Sequence, residues 1–193
     1  MTAPDPKLPR IAPDKMPADI REMWARSIAL RGEATFFEVM ANAPDFLRWY
    51  IDQFYGSVFY SERVPIEVFE VLRLRLSATH GCKFCNQGNR EAAKTAGLSD
   101  AEIDALFTDD LSALSSAQLS VVELADQLNL QSLNGVISEK LHKELSEHFS
   151  SAQIVEMGLV GAMLSGIAKF LFAFDLVERE EHCPIPRANP PTL

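Results

Sequence analysis

Two thiols three residues apart, Cys82 and Cys85 in His80-Gly81-Cys82-Lys83-Phe84-Cys85, are the residues of this sequence best placed to do chemistry. Gly81 precedes them. The run from Cys82 to Ala96 consists of helix formers and is closed by Gly97, so the spacing predicts both sulfurs in the first turn of one helix and on one face. A pair so placed can close a disulfide with little backbone movement. The unpaired amides and positive dipole of a helix start also favour thiolate, lowering a cysteine pKa from about 8.5 into the range of roughly 3.5–7.5. A thiolate attacks peroxides and disulfides, and a second thiol on the same face resolves the resulting sulfenic acid.

Two other readings of the pair stand beside the redox one. Cys-x-x-Cys is half of a tetrahedral zinc site, but no second such motif exists. His142 and His148 are six residues apart, a spacing that would point them to different faces of one helix. The pair could equally be two inert core cysteines, since free cysteine is often simply buried. Cys183, between His182 and Pro184, reads as incidental, although an exposed lone thiol could bridge two molecules.

The elements that must position the thiols all read as helix. Ile20, Met23, Trp24 and Ile28 recur at helical spacing, and Gly32 is placed to end that segment. A short helix follows from Glu33 and stops before Pro44. A third starts near Pro44, with Phe46, Leu47, Tyr50, Phe54 and Val58 on one stripe. Val71-Leu72-Arg73-Leu74-Arg75-Leu76 alternates as a strand does, yet it holds one β-branched residue and no hairpin partner follows. A helix from Pro65 to about Thr79 is therefore expected.

Ser99-x-x-Glu102, Ser115-x-x-Gln118 and Ser150-x-x-Gln153 each match the capping box, in which hydroxyl and amide or carboxylate satisfy orphan backbone groups reciprocally. The last helix, roughly 151–177, is apolar on most faces, with Glu156, Lys169 and Asp175 its charges. Gly158, Ala162 and Gly166 recur every four residues there and would let another helix come close. Such a helix is expected to be buried, in the core or at a subunit contact. The fold class is all-α: a single-domain helical bundle over residues 20–180 between Pro-rich arms at 1–19 and 181–193. Prolines in the arms can neither continue helices nor pair in sheets.

Composition removes several function classes. Hydrophobic residues make up 47% and charged residues 23%, an ordinary globular balance. A net charge of -9 without a local basic cluster disfavours nucleic acid. The longest uncharged apolar stretch, Met157 to Ala168, is 12 residues, against roughly 20 needed to span a bilayer, so no membrane partner is expected. The five prolines among the first twenty residues leave no signal-peptide core, which makes the cytoplasm the expected address.

Glu70 separated from Cys82 by eleven residues, Arg73-Leu74-Arg75 between them, and Arg90-Glu91-Ala92-Ala93-Lys94-Thr95-Ala96-Gly97-Leu98-Ser99 after Cys85 together resemble the alkylhydroperoxidase D-like group of the carboxymuconolactone decarboxylase superfamily. The likeness is best from about Pro65 to Leu106 and returns over Phe149 to Val177. It implies an all-helical fold of that type, assembling as trimers or hexamers. It further implies that Cys85 attacks a hydroperoxide, Cys82 closes the disulfide, and Glu70 accepts the thiol proton. Electrons would come from a dithiol, either a lipoyl group or a thioredoxin-like protein, with no cofactor or metal. A buried carboxylate near the thiol suits a base working near neutrality. Read without the resemblance, Glu70 is a solvated helix residue or a partner of Arg73 or Arg75.

One position departs from the family pattern. Its redox members usually continue Cys-x-x-Cys-x-x-x-His, and here Asn89 stands at that place, an amide that hydrogen-bonds but takes up no proton at neutral pH. His80 is the candidate substitute, as an imidazole that titrates near neutrality, or else a helix-end histidine bonding the backbone. Three functions remain in view: a thiol peroxidase or thiol–disulfide oxidoreductase, an acid–base lyase of the carboxymuconolactone decarboxylase type, and a non-enzymatic redox-sensing oligomer.

Overall fold

The alternating segment Val71–Leu76 lies in a helix, and it is the helix round which the others are arranged. The computed structural model describes residues 4–181 and residue 185. Its helices are α1 (Ala18–Arg31), α2 (Thr35–Met40), α3 (Pro44–Trp49), α4 (Ile66–His80), α5 (Lys83–Thr95), α6 (Asp100–Ala105), α7 (Ser116–Leu128), α8 (Glu139–Ser146) and α9 (Ser151–Ala173). No strand occurs among the described residues, so the chain is all-α as expected.

Every residue of α4 from Val68 to Thr79 is buried. Side chains of both characters along it can point inward because α5, α7 and α9 pack around it and its charges are matched. Arg75 donates to both carboxylate oxygens of Asp126 on α7 at 3.0 Å, and Arg73 is bonded to Glu70. The strand-like alternation thus comes from a helix buried all round, with its arginines paired rather than solvated.

All three capping boxes form, at Ser99, Ser115 and Ser150, and fix the starts of α6, α7 and α9. The start of α8 escaped the same reading. Ser138 caps it through the amide of Leu141, and an apolar residue at that third position leaves no box to recognise.

The stripe expected from Pro44 to Val58 is altered by backbone geometry. Helix α3 ends at Trp49 and passes into a π-helical stretch, Tyr50–Phe59, whose bonds run from i to i+5. Burial then falls on Leu47, Tyr50, Phe54 and Phe59, while Phe46 is 57% exposed. The stretch carries Tyr50, Ile51 and Tyr55 to the wall of the cavity described below.

Helix α9 corrects a second expectation. It ends at Ala173 rather than near Val177, and in the single chain it is buried along one side only. Val155 and Leu159 are 62% and 64% exposed, and Ala162 and Gly166 continue that face. By length and hydropathy this 23-residue helix passes the test for a bilayer span, a test that a soluble core helix also passes.

The described part of the N-terminal arm lies on its own chain. The Ile11 amide donates to Glu38 O at 3.0 Å, the Asn42 side chain donates to Pro9 O at 2.7 Å, and Met16 is buried. Most of the C-terminal arm, including Cys183, Pro184, Pro186, Pro190 and Pro191, lies outside the described residues.

Candidate active site

Gly81, in a left-handed conformation at φ 66°, ends α4 and turns the chain directly into α5. Cys82 is the N-cap of α5 and Cys85 its third residue, so the sulfurs meet one turn apart. They are joined as a disulfide with Cα atoms 5.2 Å apart, and the Cys85 amide donates to Cys82 Sγ at 3.2 Å. Cys82 is fully buried, whereas Cys85 is partly exposed.

Both cysteines line a cavity of about 340 Å³ between α1, α2, the π-helical stretch, α4, α5 and α9. Its walls are mostly apolar and aromatic, with Phe36 and Phe37 from α2, Phe84 from α5, and Leu164, Ile167 and Leu171 from α9. The polar groups that reach it include Arg31, Arg73, Ser77, His80 and Asn89.

The residues singled out in the sequence are distributed unevenly around this space. Asn89 lines it and donates from Nδ2 to Ser77 Oγ at 3.1 Å; Ser77 in turn donates to Leu74 O, also at 3.1 Å. That chain of bonds ends on backbone. His80 lines the cavity as well, but its Nε2 accepts from the Leu130 amide at 3.1 Å, the behaviour of a helix-end histidine. Burial holds its pKa down at about 4, so the ring is neutral at pH 7 and lends no charge to the thiols.

Glu70 stands apart from the cavity lining. It is 1% exposed, and among the described residues its carboxylate bonds run to Arg73, at 2.6 Å to each oxygen from Nη2 and 3.0 Å from Nε. Burial pushes its carboxyl above the ordinary value, and the Arg73 guanidinium draws it back. Of the two readings of Glu70 drawn from the residues themselves, the partner of Arg73 is the one seen, and its setting is buried rather than solvated.

Sequence reasoning missed the outer cover of the pair. Residues 178–181 run along the turn, with the Glu180 amide donating to Gly81 O at 2.9 Å and the Phe84 amide to Glu178 O at 3.4 Å. Lys83 and Glu178 form an ion pair at 2.7 Å, and Asn86 Nδ2 donates to Glu180 Oε1 at 3.2 Å. Arg31 also went unnoticed, because no spacing in the sequence links position 31 to position 85. Among the described residues no group of three or more His, Cys, Asp or Glu is arranged to hold a metal.

Fold and site together define an all-helical protein with a redox-capable cysteine pair at the end of an apolar cavity. The profile of the carboxymuconolactone decarboxylase family matches residues 44–127. An uncharacterized peroxidase-related protein from Ralstonia eutropha JMP134, described as an alkylhydroperoxidase AhpD core, superposes with a TM-score of 0.68 at 14% identity, covering 93% of this chain and 95% of its own. A protein of unknown function from Agrobacterium tumefaciens, suggested to be an AhpD antioxidant defence protein, superposes with a TM-score of 0.61 at 17% identity, covering 70% of this chain and 91% of its own. No curated protein matches. The middle of the chain is thus similar to the carboxymuconolactone decarboxylase family, and the chain as a whole has the alkylhydroperoxidase D-like fold.

Proposed function

We propose that the protein is a thiol peroxidase or thiol–disulfide oxidoreductase, with Cys85 attacking and Cys82 resolving. The observation that carries this reading is the joining of an accessible sulfur to a fully buried one at the end of an apolar cavity. The accessible thiolate meets the peroxide, and the buried thiol is kept from reacting with anything else.

In the reduced state the Cys85 thiolate attacks the terminal oxygen of a hydroperoxide. The O–O bond breaks, the alkoxide leaves and takes a proton from water, and the sulfur becomes a sulfenic acid. The Cys82 thiol then displaces the hydroxyl as water and closes the disulfide. A dithiol, lipoyl or thioredoxin-like, returns two electrons and two protons through a mixed disulfide. A reducing compartment such as the cytoplasm suits this cycle. A second copy of the chain is the proposed cover for the exposed face of α9, giving a homo-oligomer.

The lyase reading has less support, since His80 is the one imidazole or carboxyl group among the cavity-lining residues and its Nε2 is already engaged. The test is mass-resolved thiol labelling of reduced protein before and after a stoichiometric pulse of hydroperoxide, with Cys85→Ser alongside. Loss of two labels to a Cys82–Cys85 disulfide in the parent alone, followed by turnover once a dithiol is added, is the expected result. Two labels that persist in folded protein would sink the proposal, and a disulfide that forms without turnover would leave a redox sensor.

A further inference from the structure

An enzyme of this kind needs positive charge beside its attacking sulfur, and the two imidazole positions do not supply it. Position 89 is an amide, and His80 is neutral. Arg31, the last residue of α1, reaches the same place from another helix. Its Nε donates to Phe84 O at 3.1 Å, and its guanidinium lies over the Phe84 ring, 4.5 Å from the centroid.

The guanidinium occupies a notch that a glycine leaves open. One of its nitrogens lies 1.9 Å from the point that a Cβ on residue 88 would occupy, so any larger residue than Gly88 would displace it. Cβ positions at i and i+3 of a helix are about 5–6 Å apart, which brings the cation beside Cys85. Both line the cavity, and among the described residues no carboxylate lies within 4.0 Å of Arg31. Arg73, the other arginine of the lining, has its charge committed to Glu70.

We propose that Arg31 is the cation that stabilises the Cys85 thiolate and the alkoxide released when that thiolate attacks a hydroperoxide. This rests on the reading of Cys85 as the attacking thiol. Sulfur gives two electrons to the O–O bond and gains the terminal oxygen as sulfenic acid, and the remaining oxygen leaves as RO⁻, to be protonated by water. The negative charge passes from sulfur to oxygen, and one fixed guanidinium serves both. Burial, more than the nearby Arg73, holds the Arg31 pKa below its ordinary value, while Glu33 acts the other way from beyond ion-pair distance, so the side chain is incompletely compensated and gains from a closer anion.

The other groups facing the thiol do not duplicate this charge. From α4, Arg73 is paired and His80 is neutral. On α5 and the 178–181 segment, Lys83 is bonded to Glu178, and Glu180 accepts from Asn86. Tyr50, Tyr55 and Tyr60 contribute phenols, the α9 residues of the lining are uncharged, and Glu33, between α1 and α2, is the carboxylate whose charge reaches Arg31.

The decisive experiment follows the pH dependence of Cys85 alkylation by iodoacetamide, resolved by mass, in Cys82→Ser protein with and without Arg31→Met. An opposite charge at this range lowers a thiol pKa by about 1–3, so Arg31→Met should raise the midpoint by that amount. It should also slow the reaction with cumene hydroperoxide at pH 7 about 10-fold, with Arg31→Lys partly restoring both. Gly88→Ala, which keeps the helix and fills the notch, should raise the midpoint too, and it decides the matter if Arg31→Met does not fold. Unchanged midpoints in the folded variants would overturn the role of Arg31 while leaving the cysteine chemistry intact. A parent Cys85 inert to hydroperoxide at every pH would instead defeat the proposed function, and this inference with it.

Discussion

Arg73 holds both carboxylate oxygens of Glu70 at 2.6 Å from one turn further along α4, and Glu70 is buried, with Arg73 rather than Glu70 lining the cavity. A carboxylate so committed acts first on its partner. It neutralises a guanidinium that also lies 4.6 Å from the centre of the Phe59 ring. Removing one member leaves a buried charge without its counterion, which typically costs about 3–5 kcal/mol, whereas replacing both by apolar residues is often neutral. Glu70→Ala should therefore lower the urea midpoint sharply, and the Glu70→Met, Arg73→Met double variant should recover most of the loss. A stability loss in the double variant equal to the sum of the single losses would show that the two side chains act independently.

Asn89 bonds Ser77 beside the cavity, where a histidine would add a group able to move a proton. General acid–base assistance contributes typically 10²–10⁴-fold. Asn89→His should therefore raise the rate of hydroperoxide reduction about 100-fold at pH 7, measured by stopped-flow on reduced protein. An unchanged rate, with the fold intact, would mean that proton transfer does not limit the parent.

The buried His80 makes the fold sensitive to acid. Its folded-state pKa of about 4 lies below the ordinary value of 6.5, so the unfolded chain binds a proton that the folded chain refuses. Its contribution is fully present above pH 6.5 and is lost as the pH falls towards 4, amounting to about 3 kcal/mol at 1.36 kcal/mol per pKa unit. His80→Gln keeps an acceptor for the Leu130 amide and should remove this part of the pH dependence. Comparing denaturation free energies of parent and variant at pH 7 and pH 4 checks it, and parallel losses in the two would refute it.

The face of α9 bearing Val155 and Leu159 is apolar and exposed in the single chain. If a second copy covers it, Leu159→Asp should lower the solution mass found by light scattering and leave the helical circular dichroism unchanged. A mass unaffected by the substitution would place any subunit contact elsewhere.

Local signals in the sequence were enough to determine the cysteine turn and most helix starts. Gly81 ends one helix through its own backbone freedom, and Ser99, Ser115 and Ser150 satisfy amides within three residues. Such interactions are short-range, so spacing alone reveals them. The arginines of α4 were legible only in part, since their placement one turn from Glu70 allowed a pair without showing whether it is buried.

Tertiary structure alone decided the rest. Leu47, Tyr50 and Phe54 are buried as the stripe predicts, but Phe46 is exposed, and at the end of the π-helical stretch Phe59 is buried more deeply than Val58. The neutrality of His80 depends on what surrounds it, and the Arg31–Gly88 contact joins residues 57 positions apart on two helices. The sequence by itself determined which atoms could do redox chemistry, because a thiol carries its reactivity with it. Only the fold decided which sulfur is exposed and which charges face it, because solvation and electrostatics belong to the space around a group.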